Sequence, residues 1–294
     1  MSQALENTPP REVPGPKASG PVELTSPPPS KKARGGVLLE IPGQDAGSWQ
    51  HWHFAPDRDP ELLEKEPPPF LQKNRVIALP SSSLFAWPLW VASEGNVGEL
   101  VRMELSGRHL LKRGMEEALE VITILRRGER ILVLAVAPDS PFAEETLPPD
   151  WKDAARFELP ARLHAAAATS DLILWREWGT LQIAFYREGK VAWFCGIRQE
   201  GLRGTVLRMA LRLLSEGVIE RIPGSIRIEG LPRDLTEHLA LELGAVFPKA
   251  EILRVPIPPA PLLNWERRTG RSRRFRAKPK APHHDEENFD LPPP

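Results

Sequence analysis

The chain has 294 residues, with 39 Lys+Arg balanced by 39 Asp+Glu, so net charge offers no global attraction to nucleic acid or to a membrane surface. A single cysteine excludes an internal disulfide and a cysteine-rich zinc site, and it fits a reducing compartment. Residues 1–6 lack a basic segment followed by an apolar one, which predicts no secretory signal; the longest apolar run, residues 131–137, is far short of the ~20 residues a spanning helix needs.

Proline placement divides the chain. Of 33 prolines, 14 fall in residues 1–70 and 9 in residues 256–294, leaving 10 for residues 71–255. Residues 1–35 are Pro, Ser, Gly, Lys and Glu with almost no large apolar side chain, a composition that cannot offset the entropy of ordering. Residues 267–280 hold eight Lys/Arg, followed by Asp285, Glu286, Glu287 and Asp290. A basic block before an acidic one predicts a solvated interaction tail. A docking segment for an acidic protein or an anionic lipid surface is the alternative. Nucleic acid is not expected, because no aromatic platform accompanies the arginines. The predicted organisation is a disordered Pro-rich tail at 1–35, a folded domain at 36–265 and a disordered tail at 266–294.

Within the folded region, residues 37–41 and 48–54 predict a hairpin across Pro42-Gly43, with Trp49, His51 and His53 on one strand face and Gln50, Trp52 and Phe54 on the other. Residues 56–69 read as a polar connection with a helical turn around Leu62-Leu63. Strands follow at 75–79 and 84–91, then a helix at 97–111. A second hairpin joins 119–125 to 131–137. Three more strands at 171–175, 181–186 and 191–197 include a hairpin turned by Arg187-Glu188-Gly189-Lys190. Leu202, Val206, Ala210, Leu213 and Leu214 recur at helical spacing. A strand at 225–229, a helix at 234–243 with Asp234 as N-cap and Gly244 past its end, and a strand at 252–255 close the domain. Antiparallel hairpins followed by helix–strand units imply mixed sheets with covering helices.

No chemical signature stands out. His51 and His53 share a strand face and could supply two metal ligands, but no third or fourth is near in sequence, so no metal site is expected. Cys195 between Phe194 and Gly196 reads as a small hydrophobe in a strand, without the partner pattern of a nucleophile. Ser81-Ser82-Ser83 lacks the G-x-S-x-G elbow. Glu116-Glu117 and Glu144-Glu145 are adjacent in sequence and therefore not on one helix face. No phosphate-binding glycine motif occurs. Nine tryptophans against one tyrosine remain to be explained. Trp87 and Trp90 fall on opposite strand faces, and Trp175 and Trp178 bracket a turn. They either pack two subdomains or form a protein-binding patch.

The order of elements, with the stretches RVIALPSSSLFAWPLWV, DLILWREWGTLQIAFYREGKVAWFCGI and SIRIEGL, resembles the actin-like ATPase fold over about residues 36–265. Within that fold it resembles the L-type cytoplasmic domain of type II secretion systems and the related M-type type IV pilus assembly proteins. The resemblance implies an actin-like (ribonuclease H-like) α/β architecture of two subdomains with a boundary near residues 150–170. Nucleotide-binding members of the fold carry a small-residue phosphate turn after the first strand, a second one of Asp-x-Gly type, and a Gly-Gly pair late in the chain. Glycines there let backbone N–H groups approach phosphate, and the carboxylate organises Mg²⁺. Here the first turn holds Pro42 and no hydroxyl, and the second reads Trp175-Arg176-Glu177-Trp178-Gly179, with two indoles where phosphate belongs. The third is only Gly230-Leu231-Pro232.

The resemblance therefore implies a non-catalytic, cofactor-free cytoplasmic scaffold of a type II secretion or type IV pilus-like machine. Its implied partners are the secretion or pilus ATPase and a small inner-membrane protein, with membrane attachment only through that partner and with homodimerisation. Protein contacts are expected at Trp175 and Trp178, and at Arg267, Arg268, Arg271, Arg273 and Arg274 of the basic tail. A degenerate actin-like ATPase or small-molecule kinase is the alternative, and an adaptor binding nucleic acid through residues 267–280 a further one.

Overall fold

The computed structural model describes residues 36–55, 58–69, 71, 74–111, 118–138, 147, 154 and 156–263. Both predicted tails, 1–35 and 266–294, lie outside these residues.

Thirteen strands are described, in three sheets. The first runs β3-β2-β1-β4-β8, built from β1 (Val37–Pro42), β2 (Trp49–Phe54), β3 (Glu61–Leu63), β4 (Arg75–Ala78) and β8 (Arg156–Glu158). The second runs β11-β10-β9-β12-β13, built from β9 (Leu172–Glu177), β10 (Thr180–Arg187), β11 (Lys190–Ile197), β12 (Ser225–Glu229) and β13 (Glu251–Val255). The two sheets repeat one plan. Three strands meander antiparallel, and two more add parallel beside the first of them. The halves share no visible sequence repeat, because a sheet strand is specified by an apolar pattern rather than by particular residues.

Between β4 and β8 the chain inserts a third, antiparallel sheet β5-β7-β6, made of β5 (Leu84–Ala92), β6 (Glu120–Arg127) and β7 (Arg130–Pro138), with helix α1 (Val97–Gly107). The unbroken apolar run 131–137 is its central strand. Leu132, Leu134 and Val136 enter the large core shared with the second sheet, while Ile131, Val133, Ala135 and Ala137 enter a smaller core under α1. A strand covered on both faces has no polar face, which is why its sequence does not alternate. Trp90 and Trp87 divide the same way, Trp90 against the large core and Trp87 against the small one.

Helix α2 (Leu202–Ser215) buries the expected stripe of Leu202, Val206, Ala210 and Leu213, and α3 (Arg233–Val246) buries Leu239, Ala240 and Leu243 in the same large core. Each such leucine contributes about 1.5–3 kcal/mol by leaving water.

Three readings are corrected. Residues 61–63 form an edge strand, not a helical turn. Leu62 stays 48% exposed there, so backbone pairing with β2 rather than side-chain burial defines the element. Helix α3 starts earlier than expected, with Pro232 at the cap and Asp234 inside the first turn. It also runs through Gly244 to Val246, held by buried Phe247, whose N–H donates to the Leu243 carbonyl. The short strand β8 was not anticipated at all.

Candidate functional site: a self-bonded cleft

Three turns converge, one after β1, one between β9 and β10 and one after β12. The β1–β2 turn closes on itself, the Gly43 N–H donating to Ser48 O at 2.8 Å and the Ser48 hydroxyl to Asp45 O at 2.7 Å. That serine supplies the hydroxyl which seemed missing from the turn, but spends it locally.

The β9–β10 turn consists of Trp178 and Gly179 only, with φ of 46° and 77°. Two successive left-handed residues are what a two-residue hairpin loop requires. Trp175 therefore does not bracket the turn but lies inside β9. A tryptophan at positive φ is costly, and the surroundings hold it there. Its indole N–H donates to Ser48 O at 2.8 Å, and its ring packs edge-on against Trp49 with centroids 5.4 Å apart.

The amides of this turn point at the first turn. The Trp178 N–H donates to Gly43 O at 2.8 Å and the Gly179 N–H to Gln44 O at 2.6 Å. The Gln44 side-chain amide continues to Gly230 O in the third turn. Gly230 itself sits at φ 63° and donates to Val255 O at 2.8 Å.

Each of the three strands approaching these turns also carries a buried carboxylate. Glu40 of β1 bonds Arg75 and lies 3.4 Å from His51 Nε2. Glu177, ending β9, accepts from the Ser81 N–H at 2.8 Å, the Ser81 hydroxyl at 3.0 Å and the Trp175 indole at 2.7 Å. Burial raises its pKa, opposed by these hydrogen bonds and by nearby His164. Glu229, ending β12, meets His164 Nδ1 at 2.8 Å and Arg227 Nε at 2.7 Å. The His164 ring rests on Trp175 with centroids 4.4 Å apart. Close by, the Tyr186 hydroxyl donates to Ala161 O at 2.7 Å; burial, then the charges of Glu229 and Glu177, push its pKa well above the ordinary tyrosine range.

On the β1 and β12 side of these turns lies a cavity of about 90 Å³ lined by Gln44, Trp52, His164, Trp175 and Glu229 and roofed by prolines of segment 258–261. That is well below the roughly 300 Å³ or more of a typical ligand pocket. The roof is pinned at its far end, where the Leu262 N–H donates to Leu163 O at 2.8 Å and Leu263 is buried against the first sheet.

Of the residues singled out from sequence, Trp175 and Trp178 both reach this cleft, Trp175 as buried lining and Trp178 half-buried at the turn. Arg267, Arg268, Arg271, Arg273 and Arg274 lie outside the described residues. His51 and His53 are in β2, where His51 faces Glu40. Cys195 is half-buried rather than fully enclosed, and burial raises its thiol to about 12. Sequence reasoning missed Glu40, His164, Glu177 and Glu229. One signal was available, because Glu177-Trp178-Gly179-Thr180 keeps the order acid-x-Gly-hydroxyl behind its tryptophans.

No family model and no curated protein matches the chain. Among solved structures, the PilM-PilN type IV pilus biogenesis complex is similar at a TM-score of 0.50 and 14% identity, covering 76% of this chain and 91% of that one. A Bacteroides thetaiotaomicron protein described as having an actin-like ATPase fold and unknown function gives a TM-score of 0.41 at 14% identity, over 76% of this chain and 92% of that one. The cytoplasmic domain of EpsL, an inner membrane component of the type II secretion system of Vibrio cholerae, gives 0.37 at 12% identity, over 66% and 82%. The doubled sheet plan and the similarity to the pilus complex bear out the fold expectation: the chain is mixed α/β with an actin-like fold. No described helix is long and apolar enough to cross a membrane.

Proposed function

We propose that this chain is a non-catalytic scaffold of a type IV pilus-like or type II secretion machine, working by protein–protein binding on the cytoplasmic face of the inner membrane. The observation that carries this reading is the bonding of the cleft to itself. The Trp178 and Gly179 amides, in the turn that the resemblance equates with a phosphate-binding turn, are taken by Gly43 and Gln44, and the acid beside them is taken by Ser81 and Trp175. Admitting a nucleotide would break these bonds and move Trp178. The partners we expect are a small inner-membrane protein, which would tether the scaffold, and the machine's ATPase, with a second copy of the chain as a further contact. Contacts are assigned to Trp178 at the turn and Trp175 lining the cleft, and to Arg267, Arg268, Arg271, Arg273 and Arg274.

One observation favours a second reading, a degenerate ATPase or small-molecule kinase: the retained order Glu177-Trp178-Gly179-Thr180. Thermal unfolding with and without millimolar Mg-ATP separates the two. A ligand at 100 times its dissociation constant adds about 2.7 kcal/mol, which is readily seen. No shift is expected; a clear shift would move the assignment to the ATPase reading. Cross-linking in the cell with partner identification tests the scaffold directly. Recovery of a secretion or pilus ATPase, or of a single-span inner-membrane protein, supports it, and recovery of neither overturns it.

A further inference from the structure

The outward face of α2 has features the fold does not use. Leu207 and Leu211, one turn apart, are 38% and 47% exposed, and Leu241 of neighbouring α3 is 71% exposed. Gly204 precedes them on the same face, and a Cβ there would meet nothing within 4 Å, so neither packing nor backbone conformation inside the domain calls for glycine. A helical glycine beside exposed leucines leaves a shallow notch into which another backbone can settle.

Charge on this face is one-sided. Arg203 is paired with Glu242 and Arg212 with Glu216, while Arg208, among the described residues, bonds the Gly204 carbonyl of its own helix and no carboxylate. The residues leading into α2 line an open groove of about 520 Å³ with the β9–β10 turn and Leu235. Arg176 and Arg198 stand in that groove, neither with an ion-pair partner among the described residues, and Glu200 is the one carboxylate lining it. An apolar stripe with a notch thus runs into a groove holding two unmatched guanidinium groups.

We propose that this face docks an acidic amphipathic helix of a partner protein, its leucine-type side chains on Leu207 and Leu211, its backbone over Gly204 and its carboxylates on Arg208, Arg198 and Arg176. A second copy of the chain fits poorly, since it would bring the two arginine-bearing faces together. A flat anionic membrane also fits poorly. It would meet the exposed acids Asp234 and Glu237 of α3, whereas a helix about 10 Å wide can lie on α2 alone. The groove borders the cleft's β9–β10 turn, and Arg176 lines both, but the assignment does not depend on whether the cleft admits a nucleotide.

The probe is a designed helical peptide of about five turns, with leucines at i, i+4, i+7 and i+11 flanked by glutamates. Its fluorescence anisotropy is followed on titration with the full chain. Saturable binding is expected, weakened at least about tenfold by Leu207→Ser with Leu211→Ser and by Arg198→Glu with Arg208→Glu. The arginine reversal should in turn gain affinity for the same peptide carrying lysines. All four positions are surface-exposed, and circular dichroism verifies that the variants fold. Absence of binding, or equal binding by wild type and both variants, overturns the proposal. So does retention on phosphatidylglycerol vesicles that the leucine changes abolish, or a dimer in sedimentation that they dissociate.

Discussion

The Trp178 N–H donates to the carbonyl of Gly43 across 2.8 Å, joining the turn of the second sheet to the turn of the first. With the Gly179–Gln44 bond and the Gln44–Gly230 bond it makes a chain of contacts through all three turns of the cleft. Amides paired in this way are not free to bind an anion.

Trp178 holds a left-handed conformation that its side chain pays for through contacts. Trp178→Ala keeps the unfavourable φ and loses the indole bond and the Trp49 packing. It should cost about 2–3 kcal/mol in urea unfolding. Trp178→Gly loses the same contacts but relieves the backbone, and should be about 1 kcal/mol more stable than the alanine variant. Equal stabilities for the two would remove backbone strain from the account.

Gly230 has φ 63°, and a Cβ there would lie 2.8 Å from Pro258 Cγ and 3.0 Å from Gln44 Nε2. Gly230→Ala should destabilise by about 2 kcal/mol and lift segment 258–261 from the cleft. Limited proteolysis should then cut near residues 256–263 sooner than in wild type. An unchanged cleavage pattern would mean that Gly230 does not hold the roof down.

Burial raises the pKa of Glu177, so the folded state holds that proton more tightly than the unfolded chain. The linked stability is therefore present at and below the ordinary value of 4.5 and is lost as pH rises from there through the folded pKa. Glu177→Gln removes this dependence. The difference in Tm, wild type minus variant, should grow as pH falls from 7 toward 4.5. A difference that shrinks over that interval would show the carboxylate to be stabilised rather than penalised by its site.

Cys195, with its thiol raised to about 12 by burial, should resist alkylation. Three units above the ordinary 9.0 correspond to roughly a thousandfold less thiolate at a given pH. Iodoacetamide at pH 8 should label the native chain at least about a hundredfold more slowly than the urea-unfolded chain, read by intact mass. Comparable rates would place the thiol in water.

Much of the fold was legible because long periodic elements carry their own signal. The stripe Leu202-Val206-Ala210-Leu213 identified α2, and the alternation around Pro42-Gly43 and Gly189 identified two hairpins. The strands of three residues, β3 and β8, were not legible: so few positions show no period, and pairing with β2 and β4 alone defines them. The end of α3 was misread because Gly244 looks like a stop, whereas buried Phe247 draws the helix past it.

The cleft divides along the same line. Sequence by itself determined that its turns depart from a phosphate-binding pattern, since Pro42 has no N–H to offer and Trp178 stands where a small residue is expected. Only the tertiary structure decided what those turns do instead. Glu40, Glu177 and Glu229 look like ordinary strand acids until the sheets bring Arg75, Ser81 and His164 to them from distant parts of the chain. A hydrogen bond depends on where two groups meet in space, and for groups this far apart along the chain that meeting is set by the packing of the sheets, not by spacing in sequence.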